Sequence, residues 1–167
     1  MQACRKLGME SVGCVEIDRY CCAVLEKHGE KILANDITTW HADGLAGRVD
    51  IVVGGSPCQD VSTAGKRAGF NGTKSVLWRD QIRVAKECQA PLIWWENVRG
   101  ALSSNGGRDF GVVLSDLAEA GYDARWTLNR ASDVGAPHRR ERVWLFAWKR
   151  SMADAGVELD ERRGVTG

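Results

Sequence analysis

No stretch of this chain approaches the roughly 20 consecutive apolar residues that a membrane-crossing helix needs. Met1–Glu10 holds no apolar segment of the kind that forms the core of a secretory leader. The expectation is a soluble, cytoplasmic protein. Neither sign of charge is in excess, the formal net charge being +1. Bulk charge therefore does not announce a nucleic-acid binder, and any such surface must be local or supplied elsewhere. None of the six cysteines forms a C-x-x-C pair, and two of them, Cys21 and Cys22, are adjacent. That spacing argues against a zinc site, and the cysteines read as reduced thiols. Internal repeats are also lacking.

What remains is ordinary globular usage, with 44% hydrophobic and 27% charged residues in a 167-residue chain, enough for one domain with a real core. Strand-like and helix-like segments alternate. Ser11–Ile17 reads as a strand. Asp18 then suits a helix N-cap, with Cys21, Val24, Leu25 and His28 on one face and Gly29 as the stop. Val49–Val53 is a short apolar run before Gly54-Gly55, the pattern of a strand buried on both faces of a parallel sheet. A Gly- and Ser-rich loop follows to about Lys74.

Ser75–Cys88 reads as a helix with Trp78, Ile82 and Ala85 on one side, and Pro91–Trp95 as another buried strand. Phe110, Val113, Leu114, Leu117 and Ala118 mark an amphipathic helix ended by Gly121. Tyr122–Leu128 and Arg142–Trp148 are the last strand candidates, and the composition turns polar after Lys149. This βαβ alternation predicts an α/β fold with a mostly parallel sheet, whose ligands bind at the carboxyl ends of the strands. That rule selects Glu16-Ile17-Asp18, Gly54 to Gln59, Glu96-Asn97-Val98 and the segment before Arg142.

Cys58 follows Pro57 in a glycine-rich turn, where a thiol can be exposed and ionisable; a small buried thiol is the plain alternative. The other five cysteines read as packing residues. Glu96 ends the run Leu92-Ile93-Trp94-Trp95 and is a candidate proton donor, or else a capping carboxylate. Arg140 and Arg142, two apart on an extended segment, point the same way and could grip one oxygen-rich ligand, or form part of an exposed charge run. Glu16 and Asp36 are strand-end acids of the kind that accept hydrogen bonds from a nucleoside, or solvated turn residues. The tryptophans read as core.

Taken in order, these segments are more specific than any one of them. Val15-Glu16-Ile17-Asp18, Asn35-Asp36-Ile37, Gly54-Gly55-Ser56-Pro57-Cys58-Gln59-Asp60-Val61-Ser62, Glu96-Asn97-Val98 and Arg140-Glu141-Arg142 resemble the ordered motifs of the DNA (cytosine-5) methyltransferases. The Ser75–Cys88 helix and the Gly106-Gly107-Arg108-Asp109-Phe110 helix start resemble that family too. The resemblance covers roughly residues 2 to 149.

It implies a Rossmann-like, S-adenosylmethionine-dependent core acting on DNA, in a prokaryotic or phage restriction–modification setting. Cys58 would be the nucleophile that adds to C6 of a flipped-out cytosine. Glu96 would hydrogen-bond and protonate the ring at N3. Arg140 and Arg142 would hold the flipped nucleotide. Asn97 would fix the Pro-Cys loop, and Gln59 and Ser62 would belong to a loop closing over the DNA. Glu16 would bind the cofactor's ribose and Asp36 its adenine, with Ile17 and Ile37 on the purine and Pro57 also at the cofactor.

Against the family's pattern, the expectation is a partial core over residues 1–149, then a polar tail over 150–167 that begins an absent recognition region. The first strand and its Phe-x-Gly-x-Gly turn are expected to be missing, the chain starting at the helix that follows them (Gln2–Gly8). A second chain could supply such pieces. An inactive remnant, a non-catalytic binding module and an RNA substrate stand as alternatives. His138 stands where the family usually has Gln before its Arg pair, and Arg99 where a Pro often follows Glu-Asn-Val.

Overall fold

The computed structural model describes residues 5–56 and 77–153. Its elements are β1 (Cys14–Val15), α1 (Arg19–Lys27), β2 (Ile32–Ala34), β3 (Ile51–Gly54), α2 (Leu77–Glu87), β4 (Leu92–Val98), α3 (Arg108–Glu119), β5 (Tyr122–Arg130), β6 (Glu141–Lys149) and the one-turn α4 (Arg150–Ala153). Among the described residues, no helix is long and apolar enough to cross a membrane.

β1 and β2 form a parallel pair, and the other strands form a second sheet in the order β3-β4-β6-β5. Within it β3 and β4 are parallel, whereas β6 runs antiparallel to both β4 and β5. The α/β reading stands, but the sheet is mixed rather than mostly parallel. Residues 131–140 hold only a short 3-10 turn between β5 and β6. A parallel return needs a crossover of a dozen or more residues, so β6 must come back antiparallel.

Local signals place the helices. Asp18 caps α1 as expected, accepting the Cys21 N–H at 2.9 Å. Of the predicted face of α1 only Leu25 is half-buried, Cys21, Val24 and His28 being exposed; the one buried residue of the helix is Cys22, whose thiol donates to the Glu16 carbonyl. Gly107 (φ +86°) starts α3 and Gly121 (φ +85°) follows its end, left-handed positions that favour glycine.

The core lies between the second sheet and helices α2 and α3. Trp78, Ile82 and Ala85 of α2 and Phe110, Val113 and Leu117 of α3 pack on Ile93, Trp95, Val143, Leu145 and Ala147. Burying each large aliphatic side chain contributes about 1.5–3 kcal/mol. Trp78 meets Trp95 edge-on at 5.4 Å. Tyr122 is fully buried, and its hydroxyl donates to the Ala90 carbonyl at 2.6 Å, which removes the cost of sinking that polar tip.

Two strands depart from expectation. β3 is not buried on both faces: its residues are half-buried and Val53 is 56% exposed, since β3 pairs only with β4 and its other edge is open among the described residues. β4 runs on through Glu96-Asn97-Val98, which pair with Trp144, Val143 and Arg142 of β6. The motif thus lies on the strand and not behind it. Packing also continues past Lys149: Arg150 pairs with Asp123 at 3.1 Å and donates to the Ala118 carbonyl at 2.9 Å.

Candidate active site

Parallel pairing brings the strand-end acids to one side. The Glu16 N–H donates to the Ala34 carbonyl, and Asn35 donates to the Glu16 carbonyl, so the ends of β1 and β2 are tied together. One Glu16 carboxylate oxygen accepts the Asp18 N–H at 2.8 Å; the other has no partner among the described residues. Ile17 beside it is 72% exposed, while Ile37 packs against the core. Asp36 accepts both the hydroxyl and the N–H of Thr38, at 2.7 and 2.8 Å. Those two hydrogen bonds hold its carboxyl below the usual range.

At the end of β3 the two glycines are closely approached by neighbouring groups. A Cβ on Gly54 would sit 2.9 Å from the Gln81 side chain, itself fixed by donating to the Trp94 carbonyl. A Cβ on Gly55 would lie 3.2 Å from both the carbonyl and the carboxylate of Glu96. Ser56 is gripped by two donors from β4. The Trp95 indole N–H reaches its Oγ at 3.0 Å, and the Asn97 amide reaches its Oγ at 3.2 Å and its carbonyl at 3.3 Å. Asn97 is 3% exposed, and its own oxygen accepts the Val98 N–H at 2.8 Å. Pro57, Cys58, Gln59 and Ser62 lie outside the described residues.

Alternation along β4 turns Glu96 to the opposite face from Asn97. There Glu96 Oε1 meets Arg142 Nε at 2.5 Å. Arg142 also donates to the Glu141 carbonyl at 2.9 Å. Arg140 is exposed, and its side chain has no partner among the described residues. The two arginines are therefore not a matched pair: Arg140 precedes β6, whereas Arg142 is within it and committed to Glu96. Glu141, between them, takes Arg99 at 2.9 Å and Arg130 at 3.0 Å, and both guanidinium groups hold its carboxyl low. Arg99, at the family's frequent proline position, thus ties the end of β4 to β6.

Sequence reading missed Ser56, the Trp95 indole, and a polar cluster on α2. Arg83 donates to the Ile37 carbonyl at 2.5 Å and the Trp40 carbonyl at 2.9 Å, and pairs with Asp80 and Glu87. Glu87 accepts the Ala42 N–H and contacts His41, both at 2.9 Å. Only the four-residue spacing of Arg83 and Glu87 was legible, and it marks a helix pair without naming its targets.

Burial pushes the Glu87 carboxyl up, but hydrogen bonds from Ala42, His41 and Arg83 outweigh it and bring it to about 2 from an ordinary 4.5. A carboxyl lowered on folding stabilises above its unfolded value and loses that contribution as pH falls toward its folded one. Glu87 should therefore contribute about 2–3 kcal/mol above pH 4.5, lost on acidification through about 2. Urea unfolding at pH 6 and pH 3 checks this. Glu87→Gln should flatten the fall in stability, and equal falls in both proteins would show that Glu87 contributes none of it.

Helices flanking a mixed sheet, with polar groups gathered where the strands end, define a Rossmann-like methyltransferase core. Solved structures share it. A prophage-encoded DNA modification methyltransferase from E. coli superposes with a TM-score of 0.66 over 87% of this chain and 42% of its own, at 23% identity. Spodoptera frugiperda DNMT2 does so with a TM-score of 0.62 over 95% of this chain and 46% of its own, at 21% identity.

The chain belongs to the C-5 cytosine-specific DNA methylase family, whose model matches residues 2–163. Among its relatives, type II methyltransferase M.Eco47II of Escherichia coli is 32% identical over 93% of this chain and 38% of that protein. Type II methyltransferase M.NlaX of Neisseria lactamica is 36% identical over 86% of this chain and 48% of that protein. The orphan methyltransferase M.SPRI of Bacillus phage SPR is 31% identical over 87% of this chain and 34% of that protein. The chain thus spans about a third to a half of the length of these curated relatives.

Proposed function

We propose that this chain is the catalytic core of an enzyme that methylates C5 of cytosine in DNA, with S-adenosylmethionine as methyl donor. The observation that carries the reading is the junction of β3 and β4. Asn97 and Trp95 hold Ser56, immediately before Pro57-Cys58, while Glu96 on the opposite face is oriented by Arg142. Ser56, two positions before Cys58 in the sequence, and the candidate acid are thereby held on one strand.

The cofactor's adenosine end fits the residues present. Glu16 offers a carboxylate oxygen for a ribose hydroxyl, Ile17 an exposed aliphatic surface for the purine, and Asp36 an acceptor at the neighbouring strand end. Pro57 and Ile37 complete that set in the proposal. When bound, the sulfonium supplies an electrophilic methyl group.

The target cytosine must leave the base stack to be reached. Cys58, as thiolate, forms a bond to C6 of that base. Glu96 holds and protonates N3, so the charge pushed into the ring is neutralised and C5 becomes enamine-like. Once C5 carried the methyl group, the C5 proton would be lost to a base, the Cys58–C6 bond would break to return the thiolate, and N3 would give its proton back to Glu96, restoring a neutral ring. Arg142 orients Glu96 and would reach the base, while Arg140, exposed and without a side-chain partner among the described residues, would meet the nucleotide's phosphate. Gln59 and Ser62 would line the DNA side of the loop.

Labelled methyl groups from S-adenosylmethionine should appear on C5 of cytosine in DNA. Label on adenine, or none from the intact enzyme, would defeat the reading. Glu16→Ala should weaken cofactor binding by roughly 1.5–3 kcal/mol, the worth of a hydrogen bond to a charged group. Calorimetry showing unchanged affinity would remove Glu16 from the ribose site.

A further inference from the structure

We propose that Arg83 is a positioning residue for the cofactor site, acting through the loop that follows β2. The proposal rests on the assignment of Asp36 and Ile37 to the cofactor's adenine. That assignment places the ligand on residues 35–42, which form no regular secondary structure and have no sheet partner among the described residues. Something outside the loop must fix its backbone.

Asn35 is held by Glu16 and Cys22, and the contacts from outside at 37–42 come from one helix, α2. The Arg83 guanidinium, part-buried, spans two carbonyls of the loop, those of Ile37 and Trp40. Its charge is neutralised on its own helix by Asp80 at 3.3 Å and Glu87 at 2.9 Å. Glu87 completes the clamp by taking the Ala42 N–H and touching His41. The loop's backbone is thus held at 37, 40 and 42 by donors and acceptors of matched sign. Asp36, whose carboxylate accepts from the Thr38 N–H and hydroxyl, precedes the first clamped carbonyl by one residue.

The planar fork of an arginine is what allows one side chain to meet two carbonyls and two carboxylates at once. A lysine at 83 keeps the charge but cannot span both carbonyls. A hydrophobic residue of similar length removes both contacts and leaves Glu87 and the two carbonyls short of a partner. The core packing around Trp78, Ile82 and Ala85 is on the other face of α2 and stays intact.

The test uses the full protein, S-adenosylhomocysteine as the probe, and Arg83→Lys and Arg83→Met. Amide hydrogen exchange in the unliganded proteins should speed up by about tenfold or more at 37–42 in Arg83→Met, with β4 and β6 unchanged. Affinity for the probe should fall by roughly tenfold in Arg83→Met and by less in Arg83→Lys. In turnover, KM for S-adenosylmethionine should rise while kcat at saturating cofactor holds. A loosened loop with unchanged affinity would overturn the positioning role, as would a loop that does not loosen. If the unsubstituted protein fails to bind the probe, the assignment of Asp36 and Ile37 to the adenine is what falls, and the role of Arg83 falls with it.

Discussion

Cys58→Ser should leave the enzyme unable to form a covalent adduct with DNA that carries 5-fluorocytosine at its target. A fluorine at C5 cannot leave as a proton does, so a true C6 adduct is trapped and survives denaturing electrophoresis. The serine hydroxyl keeps the size of the thiol but is far less nucleophilic at neutral pH. Ser56, anchored by Trp95 and Asn97, should not move with the substitution. Thermal unfolding should therefore match that of the unsubstituted protein. An adduct that persists in Cys58→Ser would transfer the nucleophile's role elsewhere.

Glu96→Gln should slow methyl transfer by about two orders of magnitude or more, the usual worth of a positioned acid. The amide can still hydrogen-bond N3, but it cannot deliver a proton. It also breaks the pair with Arg142, which would then face a neutral group on a half-buried surface. Cofactor affinity should hardly change, since the adenosine end is assigned to Glu16 and Asp36. Single-turnover measurement at saturating cofactor and DNA separates the two effects. An unchanged rate would reduce Glu96 to a structural partner of Arg142.

The sequence was most informative where local chemistry acts alone. The Asp18 cap, the glycine stops around α1 and α3, the inward face of α2 and most of that of α3 follow from residue type and period and are found in the structure, Ala118 of the α3 face being exposed. Partner choice was less legible. Nothing in Arg140-Glu141-Arg142 says that the second arginine turns to Glu96 while the first is exposed, because that depends on which strand lies beside β6. The mixed sheet was missed for the same reason: alternation of apolar residues does not encode strand direction. The extension of β4 through Glu96-Asn97-Val98 was hidden by polarity. Asn97 is buried because Ser56 and Val98 satisfy its amide, which no one-dimensional pattern reveals. The clamp of Arg83 and Glu87 was invisible because its targets are backbone groups more than forty positions away.

The hairpin of β5 and β6 carries a consequence for how this chain can vary. Arg142 is set opposite Val98 by seven successive strand pairings between β4 and β6. The link between β5 and β6, by contrast, is mostly exposed over residues 132–139 and turns at Gly135 with φ +86°. Length changes at such a tip are absorbed locally, since loop closure costs little more with each added residue. Insertions or deletions there can reshape what the molecule presents beside Arg140 without shifting Arg142 from Glu96. The acid and its partner are thus mechanically insulated from the most changeable part of the hairpin that delivers them.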